Sequence, residues 1–219
     1  MKLFGYFRSS AAYRVRIALN LKGLEVDHRF VHLRKGEQSA PEYGALNPQG
    51  MVPLLIDGPH VLTQSLAIIE YLEETNPEPS LLPKHPIERA RVRAIAQAIA
   101  CDIHPLNNLR VLRYLVGPMK ASDEAKNEWY RHWVVEGLTA LERTLTPAAG
   151  TGTFCHGDQP GMADCTLIPQ LYNATRWGVA FGHLPRIAAV AERCAGLPAF
   201  QKAHPEHQPS PAPALEAGG

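Results

Sequence analysis

The sequence predicts a small α/β domain followed by an all-α domain. Three observations carry that reading. Up to about residue 75, strand-like and helix-like patterns alternate and include a hairpin signal. From Asn76 to Pro86 the chain is broken by Pro79, Pro83 and Pro86, as an interdomain linker would be. Beyond it, every long segment repeats its apolar residues at helical spacing. The expected boundaries are an α/β domain at 1–78, a linker at 79–87, a helical domain at 88–205 and a flexible tail at 206–219.

Each element has a local reason. Lys2 to Tyr6 reads as a strand. Ala11 to Lys22 reads as a helix, with Tyr13, Ile17 and Leu21 on one stripe and Gly23 as its stop. Val26 to Leu33 has partial alternation and β-branched content, which predicts a second strand. Ser39 to Leu46 is a short helical or irregular piece. Val52 to Ile56 and Val61 to Thr63 flank the turn Asp57-Gly58-Pro59-His60, a hairpin. Gln64-Ser65 then opens a helix, Leu66 to Glu74, which Asn76-Pro77 ends. In the second half, Val92, Ile95, Ala96 and Ile99 form a stripe on a long helix that Pro105 should kink or end. Ser122-Asp123-Glu124 starts the next helix, whose apolar face is expected at Trp129, Trp133, Leu138, Leu141 and Leu145. Gly161 to Asp164 opens another, running to about Trp177, and Pro185 and Pro198 sit near further helix starts.

Composition narrows the function. With 219 residues, 45% hydrophobic, 20% charged and a net charge of +1, the chain reads as globular, without a field that would draw nucleic acid or an anionic membrane. No apolar run reaches the roughly 18–20 residues that span a bilayer, and Met1 to Tyr6 lacks the core of a signal peptide, so a cytoplasmic location is expected. Cys101, Cys155, Cys165 and Cys194 form no C-x-x-C pair and read as reduced, mostly buried thiols. The ten histidines show no zinc-like spacing, and no metal site is expected.

The chemistry-bearing residues start with Arg8-Ser9-Ser10-Ala11-Ala12-Tyr13-Arg14-Val15-Arg16-Ile17-Ala18-Leu19. This segment follows a strand and opens a helix, so the Ser9 and Ser10 hydroxyls sit where backbone N–H groups and the helix dipole favour an anion. Capping alone also accounts for a serine there. The site suits a thiolate, a carboxylate or a phosphate. Ser65 occupies the same kind of position on a later helix. His104 and Asn108, spaced i, i+4, are expected on one face of the first long helix of the second domain, which also carries Arg110. Arginine pairs with carboxylates in a planar, bidentate fashion, which makes Arg8, Arg110 and Arg176 candidates for an anionic substrate. Arg14 and Arg16 lie at least a turn past the helix start and read as structural or interface residues.

The order βαβ, then ββα, is similar to that of thioredoxin-like domains. Those place C-x-x-C at the start of the first helix. Here that position reads Ser9-Ser10-Ala11-Ala12, so any reacting sulfur must come with a ligand. A thioredoxin-like domain followed by a helical bundle is the glutathione transferase fold. Three motifs, in order, make the chain resemble the zeta class, the family that includes maleylacetoacetate and maleylpyruvate isomerases. The first is the segment Arg8 to Leu19, with Ala11 where the family carries Cys; the second is Asn47-Pro48-Gln49-Gly50-Met51-Val52-Pro53-Leu54-Leu55; the third is Leu62-Thr63-Gln64-Ser65-Leu66-Ala67-Ile68. The resemblance spans roughly residues 1–205.

The resemblance implies glutathione as cofactor, with Ser9 donating a hydrogen bond to its thiolate. It implies a cis Val52-Pro53 bond that turns the Val52 backbone toward the cysteinyl unit of glutathione. Gln64 and Ser65 would bind the γ-glutamyl end, Gln49 the glycyl end, and His104 and Asn108 would approach glutathione and substrate. Arg176 matches a position that holds a substrate carboxylate. Asp164 reads as a folding residue, with Gly161 where the family usually has Ser or Thr, so half of a capping box remains. The implied activity is glutathione-dependent cis–trans isomerisation of a small dicarboxylate keto acid in aromatic-ring degradation. Maleylpyruvate is expected ahead of maleylacetoacetate, because a compact dianion suits several arginines. The same thiolate could instead displace halide from an α-haloacid. A non-catalytic interaction protein on this fold would not need Ser9, Val52-Pro53 and Gln64-Ser65 intact. Family members commonly form dimers, so a homodimer is expected.

Overall fold

The computed structural model describes residues 1–146 and 150–209. The chain divides into two units: residues 1–79 with Leu197 onward, and residues 80–196.

The first unit begins with strand β1 (Lys2–Gly5), helix α1 (Ser10–Leu21) and strand β2 (Asp27–Phe30). Helix α2 (Pro41–Leu46), the hairpin β3 (Leu54–Asp57) and β4 (His60–Thr63), and helix α3 (Ser65–Thr75) follow. The sheet order is β2-β1-β3-β4. β1 runs parallel to β2 and antiparallel to β3, with Leu3 opposite Leu55. This is the thioredoxin-like arrangement expected from the βαβ-ββα order. α1 forms because nine of its 12 residues are buried, and Leu3, Tyr13, Ile17, Leu54, Leu55, Ile68, Ile69 and Leu72 fill the core beneath it. Gly5 allows close approach: a Cβ there would lie 3.2 Å from the Ala12 Cβ. The hairpin turns on Gly58, at φ 54°, a conformation glycine adopts at no steric cost. β2 is shorter than the expected Val26 to Leu33, and all four of its residues are exposed. As an edge strand it needs no alternating apolar face, which is why its pattern is only partial.

In the second unit, α4 (Pro86–Gln97) passes into a π-type turn (Ala98–Ile103) and a 3-10 turn (Pro105–Asn107). α5 (Leu109–Val116), α6 (Asp123–Leu145), α7 (Met162–Arg176) and α8 (Pro185–Ala195) complete it. Val92, Ile95, Ala96 and Ile99 are buried as expected. On α6 the fully buried line is Tyr130, Val134, Leu138, Leu141 and Leu145, with Trp129 and Trp133 half-buried beside it. The segment read as a linker takes part in this unit's core: Leu81 and Leu82 are buried. The Leu81 carbonyl accepts from Met162 N–H at 2.9 Å. Asp164 is fully buried; one carboxylate oxygen accepts from Gly161 N–H and the other from Cys155 N–H, each at 2.9 Å. A Cβ on Gly161 would lie 2.8 Å from the Leu81 carbonyl oxygen, so Leu81 leaves no room for a larger cap residue here.

The last helix, α9 (Pro198–Ala203), belongs to the first unit, although the sequence placed residues up to 205 in the helical domain. It packs on α1. Arg16 Nε donates to the Ala203 carbonyl at 3.0 Å, and Asn20 Nδ2 to that of Ala199 at 2.9 Å. Of the tail expected from 206, Pro205–His207 forms a 3-10 turn, and residues 210–219 lie outside the described residues.

Candidate functional site

Ser9 is the N-cap of α1, with extended backbone, and its hydroxyl oxygen accepts from Ala12 N–H at 3.2 Å. That bond uses a lone pair and leaves the O–H proton for another acceptor. Ser9 is half-buried, whereas Ser10 is only 3% exposed. Of the two hydroxyls, Ser9 is therefore the one open to solvent. Arg8 is exposed, with its guanidinium 4.9 Å from the centre of the Phe7 ring. The loop before Ser9 is fixed from within its own unit: Arg16 Nη2 donates to the Phe7 carbonyl at 3.1 Å.

The second motif forms a rigid turn. Asn47 Oδ1 accepts from Gln49 N–H at 3.1 Å, and Asn47 Nδ2 donates to the Met51 carbonyl at 2.8 Å. Gly50 sits at φ 59°, where a Cβ would approach the Gln38 carbonyl oxygen to 3.2 Å. Tyr43 also donates to the Met51 carbonyl, at 2.7 Å. Burial pushes the Tyr43 hydroxyl up to about 12, so it remains a donor at any physiological pH. The Val52-Pro53 peptide is cis, as the resemblance implies. The Val52 backbone N–H and C=O make no hydrogen bond among the described residues.

The third motif meets the second. Gln64 Nε2 donates to Gln49 Oε1 at 2.9 Å, and both side chains are exposed. Gln64 has φ 67° and ψ 116°, a conformation non-glycine residues rarely adopt and which costs about 1–3 kcal/mol. Such outliers concentrate at ligand sites. Ser65 follows as the first residue of α3, 6% exposed, and its hydroxyl oxygen accepts from Arg14 Nη1 at 3.2 Å. The sequence reads Arg14 as a structural or interface residue, and this bond is a contact it makes. Its signal was an arginine set between Tyr13 and Val15 on the buried stretch of the helix.

The expected shared face of His104 and Asn108 is not formed, and α4 does not carry Arg110. The helix gives way to the π-type turn, closed by His104 N–H to the Ile99 carbonyl at 2.9 Å, and Pro105 then starts a new 3-10 turn. Pro105 lacks the N–H that would continue the ladder. Asn108 has extended backbone and caps α5, its Oδ1 accepting from Arg110 N–H at 3.2 Å. Arg110 is exposed and borders a cleft of about 430 Å³ with Val111, Tyr114, Leu115, Met119 and Trp129. Arg176 ends α7, exposed, its guanidinium 5.8 Å from the centre of the Tyr172 ring. The following Trp177 stacks on Tyr130 at 4.0 Å, and its carbonyl accepts from Arg131 Nε at 3.0 Å.

Residues 1–74 match the family model for the glutathione S-transferase N-terminal domain, and residues 124–206 that for the C-terminal domain. The chain belongs to the zeta class of the glutathione S-transferase family. A maleylacetoacetate isomerase of Rhizobium meliloti is 53% identical over 205 residues, covering 93% of this chain and 95% of that protein. The holo structure of a maleylpyruvate isomerase, a bacterial glutathione transferase of the zeta class, has a TM-score of 0.94 at 45% identity, covering 97% of this chain and all of that one. A maleylacetoacetate isomerase of Methylobacterium extorquens AM1, solved with bound malonate and glutathione, has a TM-score of 0.94 at 44% identity, covering 97% of this chain and all of that one. No described helix of this zeta-class chain is long and apolar enough to cross a membrane.

Proposed function

We propose that this zeta-class chain is a glutathione-dependent cis–trans isomerase of a maleyl keto acid, with maleylpyruvate as the first substrate. The observation that carries the reading is Ser9. Its oxygen is engaged by Ala12 N–H, and its proton is left to donate at the positive end of α1. The family cysteine is replaced by Ala11, so the reacting sulfur is glutathione's own. A thiol of ordinary pKa, about 8.5, is drawn toward its thiolate by a hydroxyl donor and a helix N-terminus. Val52 supplies an unpaired backbone edge for the cysteinyl unit, Gln64 and Ser65 the γ-glutamyl site, and Gln49 the glycyl end.

Glutathione held there would supply reversible thiol addition to the conjugated double bond, which leaves a single bond free to rotate and returns the thiol unconsumed with the product trans. Arg8, Arg110 and Arg176 are the groups assigned to the substrate carboxylates and to the negative charge that builds on the conjugated carbonyl. His104 and Asn108 are assigned to contacts with glutathione and substrate. The same reading makes the protein a cytoplasmic homodimer, which sedimentation would test.

Maleylacetoacetate is the second reading, favoured by the name of the Rhizobium relative at 53% identity. The test follows each keto acid by ultraviolet absorbance, with and without catalytic glutathione, and identifies the product by chromatography. A trans product with glutathione recovered unchanged supports the isomerase, and the faster substrate decides between the two. Stoichiometric loss of glutathione to a conjugate would refute isomerisation.

A further inference from the structure

Arg14 is among the most buried side chains in the protein, 2% exposed, on the face of α1 that packs against α3. Its Nη1 lies 3.2 Å from Ser65 Oγ, a buried contact between residues 51 apart in sequence. A guanidinium has five donors and no acceptor, so in this bond Ser65 is the acceptor. The single hydroxyl proton of Ser65 therefore points elsewhere. A serine inside a helix can return that proton to the carbonyl four residues earlier. Ser65 is the first residue of α3, and no helical turn precedes it. Arg14 thus fixes Ser65 as a hydrogen-bond donor, with its own charge close behind the oxygen. An ionised carboxylate is the complementary ligand, because it only accepts.

We propose that Arg14 is a positioning residue of the glutathione site: it orients the Ser65 hydroxyl toward the free carboxylate of the γ-glutamyl unit and strengthens that bond. The proposal rests on the reading of Ser65 as the γ-glutamyl subsite. It adds to that subsite a charged residue that does not itself touch the ligand.

The test compares binding of glutathione with binding of 4-aminobutanoyl-Cys-Gly, which is glutathione without that carboxylate. Binding is measured by calorimetry on the whole protein, and folding of each variant is checked by thermal melting. The parent protein should prefer glutathione by about tenfold or more, the contribution of one hydrogen bond to a charged group. Ser65→Ala and Arg14→Gln should each bring the preference close to parity, and the double variant should lose no more than either alone. Arg14→Lys, one atom shorter to the donor nitrogen, is the second variant should the glutamine protein not fold. It too should lose most of the preference. A preference kept in the Arg14 variants but lost in Ser65→Ala would overturn the role of Arg14 and leave the subsite standing. A preference kept in Ser65→Ala would overturn the subsite itself, and the proposal with it.

Discussion

On the proposed function Ser9 would hold two jobs that substitution can separate. As N-cap it accepts from Ala12 N–H, and as the proposed thiolate donor it would use the remaining proton. Replacing an N-cap serine by alanine costs about 1 kcal/mol, but replacing it by glycine costs only a few tenths. For a chain of this size, 1 kcal/mol lowers the melting temperature by about 2–4 °C. Ser9→Ala should therefore melt a few degrees lower, and Ser9→Gly almost unchanged. The thiolate responds differently, because both variants lack the hydroxyl. A hydrogen bond to a charged group contributes about 1.5–3 kcal/mol. At 1.36 kcal/mol per unit this is about one to two pKa units. Bound glutathione should titrate that much higher in both variants, followed by thiolate absorbance in the ultraviolet. The acid limb of kcat/KM should move to higher pH by the same amount. Ser9→Thr, which keeps both bonds, should stay near the parent. The reasoning fails if the alanine variant keeps its acid limb, or if the alanine and glycine variants differ in thiolate pKa.

Three further outcomes are expected. Lys22 Nζ donates to Glu73 at 2.8 Å and to the Asn76 and Pro79 carbonyls, with its side chain fully buried. Lys22→Met should cost about 3–5 kcal/mol in urea unfolding by leaving a buried carboxylate, and Lys22→Met with Glu73→Leu should recover part of it. Asp164→Asn keeps one acceptor for two backbone donors, so the orphaned N–H should cost about 1–3 kcal/mol in the same assay; an unchanged midpoint would contradict the capping role. His204 is held below its ordinary 6.5, mainly by burial, with His207 and Arg16 adding and Glu206 opposing. Well above pH 6.5 it is neutral folded and unfolded and adds no pH dependence. As pH falls through 6.5 the unfolded chain takes the proton first, so stability should fall, and His204→Gln should flatten melting temperature below about pH 6.5.

Most of the first unit was legible because local and long-range signals agree. Gly58 sits where the hairpin turns, Gly23 where α1 stops, and the buried stripe of α1 reads directly from Tyr13 and Ile17. The placement of Ser9 and Gln64-Ser65 at helix starts was legible for the same reason, and helix starts are where unpaired N–H groups make side-chain chemistry visible. His104 and Asn108 were misplaced because a count of four residues assumes a continuous helix. Pro105 and the capping role of Asn108 were the signals against it. The bond from Arg14 to Ser65 was not legible, because periodicity marks which face is buried and says nothing of what a buried polar group bonds to. The return of α9 to the first unit left no trace in the sequence near it, since Arg16 and Asn20 bind backbone carbonyls of Ala203 and Ala199, and a carbonyl has no residue identity.

That return has a consequence for how the protein is made. Arg16 joins the Phe7 carbonyl, two residues before Ser9, to a carbonyl at residue 203. During synthesis, β1 and α1 leave the ribosome among the first segments and α9 long after them. The first unit therefore stays unfinished through the translation of the whole helical unit, and Arg16 and Asn20 wait with their partners not yet made. Domains usually complete themselves in order of emergence. Here the first to appear is the last to close, and a ribosome halted anywhere before residue 203 carries a nascent chain whose loop before Ser9 lacks its final strut.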